Sequence, residues 1–295
     1  MNIVPDWLAW ILRPRDGGAA LDETDPKDWT DERLMGAQTF LGGEKQADGE
    51  YPDSNMFNGY ATKQKGQSCT SHGLTGVIQT MFRFGVEFKD HKDNILGIID
   101  GQPARLWEDQ QVKWEGTEGS ADKNKGDYLT NALKTCIVRG VPVTINGQVV
   151  IVKIKGYARL KSNEVDKWLA KGFPVFTGSR WFYQKIGNFY RSFDKNGYLF
   201  ESGRDGGGHA WYIVGKKTLG YREKYKPIKR YLMVNSHGLL WGLFRSGTAY
   251  VSEEKLRRCF SKYIVDIDWV FLEAQLNEPS YAKKVVEHYY ESKKS

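Results

Sequence analysis

The chain has 295 residues, 40% of them hydrophobic and 14% aromatic, and carries a formal net charge of +7. That is enough apolar material to bury a substantial core. The mean hydropathy is −0.57 and no apolar run approaches ~18 residues, which excludes a membrane-spanning helix; three cysteines, few and odd in number, exclude a disulfide framework.

In chain order, residues 1–50 are rich in Asp, Gly and Pro and lack sustained periodicity. They are expected to form an acidic N-terminal arm with one short helix near Asp31 to Phe40. Ile3 to Leu12 is interrupted by Pro5 and Asp6 and has no basic residues ahead of it, so it does not fit a signal peptide. Residues 1–60 hold 5 basic and 12 acidic side chains, net −7, and the remainder is net +14. An acidic arm on a basic body can fold back onto it; a solvated linker is the other reading.

Ser68 is placed to cap a helix that starts at Cys69. Leu74, Val77, Ile78, Met81 and Phe82 form one apolar stripe, and Gly85 is the expected stop. A second helix is expected over Tyr128 to Val138, with Leu129, Ala132, Leu133 and Cys136 on one face. A third, short one is expected over Glu164 to Ala170. Strands are expected at Val149–Ile154, Val175–Thr177, Ala210–Val214, Tyr231–Asn235 and Ala249–Val251. Helices first and strands later predict an α+β fold with an antiparallel sheet. Lys216 to Arg230 holds seven basic residues and one acidic. Its place between two strand-like runs predicts an exposed hairpin loop rather than a nucleic-acid site.

Three residues in three separate small-residue settings carry the chemistry. Cys69 lies in Gln67-Ser68-Cys69-Thr70-Ser71. His209 follows Gly206-Gly207-Gly208. Asn235 opens Asn235-Ser236-His237-Gly238-Leu239-Leu240-Trp241-Gly242. A thiol nucleophile needs a base, and the base needs a third group to fix its ring. A free thiol has a pKa near ~8.5, so the first turn of a helix and a neighbouring imidazolium are both needed to favour the thiolate at neutral pH. His72, one turn after Cys69, is a competing base. Cys136 and Cys259 lie among apolar or basic residues without a partner motif and read as buried thiols. His91 and His288 lie in charged segments. No CxxC or paired-His pattern predicts a metal, Asp122 to Asp127 lacks the late Glu of a calcium loop, and the glycines at 203–208 precede a strand rather than a helix, which excludes a phosphate cradle. No cofactor is expected.

The order Cys, His, Asn and these motifs resemble the papain-like cysteine peptidases over roughly residues 50 to 255. The Asn block resembles the family's Asn-Ser-Trp-Gly-x-x-Trp-Gly, with His237 at the first Trp and Trp241 at the second. Gly208-His209-Ala210 resembles the family's Gly-His-Ala strand. The Cys segment departs from the usual Gly-Ser-Cys-Trp.

The resemblance implies a two-lobed fold: a helical N-terminal lobe carrying the nucleophile helix, and an antiparallel sheet, barrel-like, in the C-terminal lobe. It implies a peptidase working through a thiol acyl-enzyme, with Cys69, His209 and Asn235 as triad and His237 and Trp241 shielding it. The family's oxyanion Gln lies six residues before the Cys, where this chain has Lys63; we take Gln64, with Gln67 as the alternative. Gly126 and Gly208 are the implied substrate-binding positions.

The expected domains are an arm over residues 1–50, a catalytic domain over 51–270 and a charged C-terminal helix or tail over 271–295. The lack of disulfides resembles shorter bacterial and phage members, which implies the cytoplasm or a virion. The implied partners are a peptide or protein substrate and a protein docking the arm. Rival readings are an idle papain-like binding module and an acyltransferase of transglutaminase type, whose usual third member is Asp.

Overall fold

A computed structural model describes residues 17–20, 62–64, 67–87, 100–101, 126–145, 148–171, 173–219, 228–242 and 246–275. The helix expected near Asp31, the Asp122 to Asp127 stretch up to residue 125, and His91 and His288 lie outside them.

In chain order the first elements are β1 (Gly17–Ala20), α1 (Cys69–Glu87), β2 (Asp100–Gly101), β3 (Asp127–Tyr128) and α2 (Leu129–Val138). The expected stripe builds α1: Leu74, Val77, Ile78 and Met81 are buried. The helix runs through Gly85 to Glu87, past its expected stop. A lone glycine costs about 1 kcal/mol inside a helix, which does not end one anchored by a buried face. In α2 the four expected face residues, Leu129, Ala132, Leu133 and Cys136, are fully buried. The two helices pack on each other.

The strands follow: β4 (Val141–Ile145), β5 (Gln148–Val152), β6 (Ile154–Leu160), then α3 (Val165–Ala170), β7 (Val175–Ile186), β8 (Phe189–Arg191), β9 (Arg204–Leu219), β10 (Ile228–Val234), β11 (Thr248–Ser252), α4 (Glu253–Arg257), β12 (Lys262–Ile267) and α5 (Trp269–Glu273). The main sheet has the order β11-β10-β9-β7-β12-β6, and each neighbouring pair is antiparallel. A smaller sheet joins β2, β4 and β5. The expected α+β class with an antiparallel sheet is therefore the observed one.

Several strands differ from expectation. The stretch expected over Val149–Ile154 divides at Lys153 into β5 and β6. The strand β12 was not expected, because Lys262 and Asp266 break its apolar run. Both are buried, and Lys262 Nζ donates to the carbonyls of Cys259 and Phe260 at 3.4 and 3.3 Å. The basic tract joins β9 to the antiparallel β10, as expected of a hairpin; its turn, residues 220–227, lies outside the described residues, and its ends are strand rather than loop. Lys216 lies within β9 and is only 1% exposed. Its ammonium is 3.7 Å from Asp166, which also accepts from Lys229 at 2.9 Å and from the Tyr231 hydroxyl at 2.8 Å. These two ends of the tract are ordered strand, docked on α3 by charge.

The strand β1 is exceptional in the sheet because it pairs in parallel on both edges. Gly17 and Gly18 lie opposite Gly207 and Gly208 of β9. Ala19 and Ala20 lie opposite Asp127 and Tyr128 of β3. A segment of the N-terminal arm thus bridges the start of the helical part and the central strand of the sheet.

Candidate active site

The site forms where α1 meets β9. Two glycines of α1 allow the approach. A Cβ on Gly73 would lie 2.8 Å from the Phe176 ring, and one on Gly76 would lie 2.5 Å from the Tyr212 ring. Real side chains do not fit at such distances, so the helix reaches the sheet on its bare face. This brings Cys69, the first residue of α1, against the residue after His209: the Ala210 backbone N–H donates to Cys69 Sγ at 3.3 Å. Cys69 and His209 are both fully buried. The sulfur is at the positive end of α1 and accepts a main-chain hydrogen bond; both features stabilise a thiolate.

His209 is fixed by Asn235. The distance from His209 Nε2 to Asn235 Oδ1 is 2.5 Å. The Ser236 N–H also donates to that Asn235 atom, at 2.8 Å, so the atom is the amide oxygen, an acceptor. Nε2 therefore carries the hydrogen, and in the neutral ring the lone pair is on Nδ1. Nδ1 is buried and makes no hydrogen bond among the described residues. Burial pushes the His209 imidazole down from its ordinary 6.5 to about 4, opposed in part by the Asn235 hydrogen bond. The covered site holds an uncharged imidazole, free to take a proton at Nδ1.

The Asn235 loop is built by its own backbone. Asn235 N–H donates to Gly247 O at 2.9 Å, and Gly247 N–H to Trp241 O at 2.7 Å. Gly242 has φ +87°, and a Cβ there would lie 2.1 Å from the Thr248 carbonyl oxygen; only glycine fits. His237 and Trp241 both pack at the imidazole's edge of the loop, with His237 4.7 Å from His209 between ring centroids and tilted by 33°. His237, which was expected to shield the triad, lies in ring contact with His209. Trp241 does not touch His209 in this way; it packs on His237 at 5.7 Å.

Gln64 is buried and clamped to the same loop. Its N–H donates to Ser236 O at 2.8 Å, and its side-chain carbonyl accepts from the Ser236 hydroxyl at 2.5 Å. That leaves the Gln64 amide NH2 as the donor end. Gln67 is half-buried in the turn before α1. The competing base, His72, is turned elsewhere. Its Nδ1 lies 2.6 Å from Thr62 Oγ1, and burial lowers its pKa to about 4. Cys136 and Cys259 are pushed up to about 12 by burial, as structural thiols are.

Gly126 and Gly208 border the two stretches between which β1 lies. Gly208 pairs with Gly18, and Gly126 immediately precedes the Asp127 that pairs with Ala19. An extended segment of this chain therefore lies beside both of these expected positions. Sequence reasoning missed that segment because Gly-Gly-Ala-Ala has no strand signature. It also missed Trp181 of β7, whose ring lies 4.7 Å from that of His209; its signal was the alternation of buried Trp181 and Tyr183 with exposed Arg180.

Solved structures with a similar fold include xylellain, a cysteine protease from Xylella fastidiosa. It superimposes with a TM-score of 0.56 at 14% identity, over 86% of this chain and 97% of that one. A procathepsin B from Trypanosoma congolense gives 0.54 at 14% identity, over 88% of this chain and 87% of that one. The fold is that of the papain-like cysteine proteases. The papain-like fold is thus shared with little of the sequence: no protein-family model matches the chain, and no curated protein matches it.

Proposed function

We propose that this chain is a cysteine peptidase whose Cys69, His209 and Asn235 cut peptide bonds through an acyl-enzyme, and that its own arm keeps it latent. The observation that supports it is the continuous buried line from Cys69 through the Ala210 N–H and His209 to Asn235.

In this reading His209 Nδ1 takes the Cys69 proton. The thiolate attacks the scissile carbonyl carbon, and the oxygen gains the negative charge. The Cys69 N–H at the start of α1 and the Gln64 amide NH2 stabilise that oxyanion. The C–N bond breaks as His209 returns its proton to the leaving amine. The neutral ring then takes a proton from water, hydroxide adds to the thioester, and Cys69 leaves. Asn235 keeps the hydrogen on Nε2 throughout, so Nδ1 is always the working nitrogen.

Latency is supported by β1. A strand already paired with β3 and β9 occupies the space an extended substrate would take, and both reacting groups are buried. Main-chain pairing with a guest strand is a general way for a groove to hold peptide.

The test uses protein lacking residues 1–49 and a small uncharged peptide substrate. Cys69→Ala and His209→Ala each abolish turnover, and Asn235→Ala leaves a measurable remainder, because orientation is its role. Full activity in Cys69→Ala protein, or in His209→Ala protein with His72→Ala inactive, would reject the assignment. An inert Cys69 in truncated, folded protein would favour the idle binding module.

A further inference from the structure

His209 sits in a triangle of rings. Its centroid is 4.7 Å from Trp181 and 4.7 Å from His237, and Trp181 and His237 are 5.7 Å apart. Trp241 closes the group from outside, 5.8 Å from Trp181 and 5.7 Å from His237. All four rings are at most 4% exposed. One corner of the triangle beside the proposed base is therefore itself titratable. A flat apolar ring would fill that corner equally well.

Two imidazolium rings this close, out of water, repel strongly, so adding the second proton is disfavoured. The two histidines therefore titrate as a pair that takes up one proton on the acid side and resists the second. Catalysis is sensitive to where that proton sits. The proposed reaction needs it on His209, where it partners the Cys69 thiolate and later reaches the leaving amine. A proton on His237 denies it to His209. Asn235 Oδ1 accepts from His209 Nε2, which favours the charged form of that ring against the effect of burial.

The surroundings of His237 add further constraint. From the segment before α1, Lys63 forms a β-bridge with His237. Its side chain is exposed. From α1 the titratable groups are Cys69 and His72. His72 reaches this corner through Thr62, whose carbonyl accepts from Gly238 N–H at 2.9 Å. From β9 the group is His209. From β7 it is the uncharged Trp181; its neighbour Arg180 lies on the solvent face, paired with Asp205 at 2.5 Å.

We propose that His237 is a positioning residue that shares a single proton with His209, so that protonation of His237 switches the Cys69–His209 pair off on the acid side. This rests on the peptidase reading for its effect on activity, but the shared proton is a property of the folded site alone.

Two measurements test it. In truncated enzyme, the acid limb of kcat/KM against pH is compared between wild type, His237→Phe and His237→Trp. Both variants keep a flat ring and remove the proton site. Both are expected to shift the limb to lower pH by at least one unit, with little change on the alkaline side. The second measurement is a histidine NMR titration of full-length Cys69→Ala protein, which needs no activity. His237 is expected to gain its proton at higher pH once His209 is replaced by Phe, and His209 likewise once His237 is replaced by Phe. Identical acid limbs in folded wild type and both variants would overturn the functional role. Histidine titrations that ignore the partner's replacement would overturn the shared proton. Coupled titration in a protein without turnover would reject the peptidase reading and keep the pair.

Discussion

Cys69, Cys136 and Cys259 are three thiols with different fates. Only Cys69 combines a helix N-terminus, the Ala210 main-chain N–H at 3.3 Å and an imidazole on the preceding residue of β9, His209. Vinyl-sulfone labelling near neutral pH, followed by peptide mapping, is expected to modify Cys69 alone. Cys136 is fully buried and Cys259 half-buried; both thiols are held near 12 and react far more slowly than Cys69 in folded protein. Equal labelling of all three in folded protein contradicts the site. The buried histidines make a separate prediction. His72 and His209 are lowered from 6.5 to about 4, so between these values the unfolded chain binds protons that the fold refuses. Stability is then complete above about pH 6.5, falls as the pH drops to about 4, and levels off below that. Each histidine contributes on the order of 3 kcal/mol at the acid limit. Urea unfolding of His72→Gln against wild type, at pH 7 and pH 4.5, is expected to show a clearly smaller acid loss in the variant. An equal loss would show that His72 is not held neutral.

The elements reveal what could be read in the chain and what could not. Period and capping located α1, because its buried face follows one repeat from Leu74 to Met81 and the helix begins directly after Ser68. The grouping of Cys69, His209 and Asn235, the proposed triad, was legible for a similar reason: each sits in a short motif of its own. The long strands were only half legible. The expected Ala210–Val214 is the buried middle of a sixteen-residue β9, whose ends are glycine-rich on one side and basic on the other. Lys216 and Lys262 are buried lysines inside strands, and composition gives no warning of the partners that make this tolerable. Close approaches were invisible for want of a side chain to signal them. Gly178 lies in β7 opposite Ala210, and a Cβ there would lie 2.7 Å from the His209 carbonyl oxygen. Gly178→Ala is expected to displace the His209 backbone, lowering kcat/KM at least tenfold in truncated enzyme, with a loss of about 1–3 kcal/mol in stability. Gly242→Ala, with its positive φ and the Thr248 contact, is expected to cost at least as much in denaturant unfolding and to loosen the loop under Asn235. Wild-type stability in either variant would contradict the packing described for it.

For the whole molecule, the charge imbalance suggested an arm lying on the body, and β1 specifies how part of it lies there. The pairing of Gly17–Ala20 is main chain to main chain, which salt screens little, whereas exposed ion pairs weaken as the Debye length drops from ~10 Å at 0.1 M to ~3 Å at 1 M. Removing residues 1–49 is therefore expected to raise activity on a small uncharged peptide far more than 1 M salt does in the full chain. Gly18→Pro, which removes a backbone donor from β1, is expected to activate the intact chain part of the way. Equal rates for the full-length, truncated and proline proteins would leave the arm an anchor rather than an inhibitor. The same short strand has a mechanical side. It fastens β3, at the foot of α2, to β9, at the centre of the sheet, so the walls of the groove are cross-braced by its occupant. Freeing the groove removes the brace, and any extended peptide that settles there restores it. A truncated Cys69→Ala protein should accordingly melt below its full-length counterpart and regain the difference when a peptide spanning residues 13–24 is added, so that for this molecule an empty groove and a slackened frame are one condition.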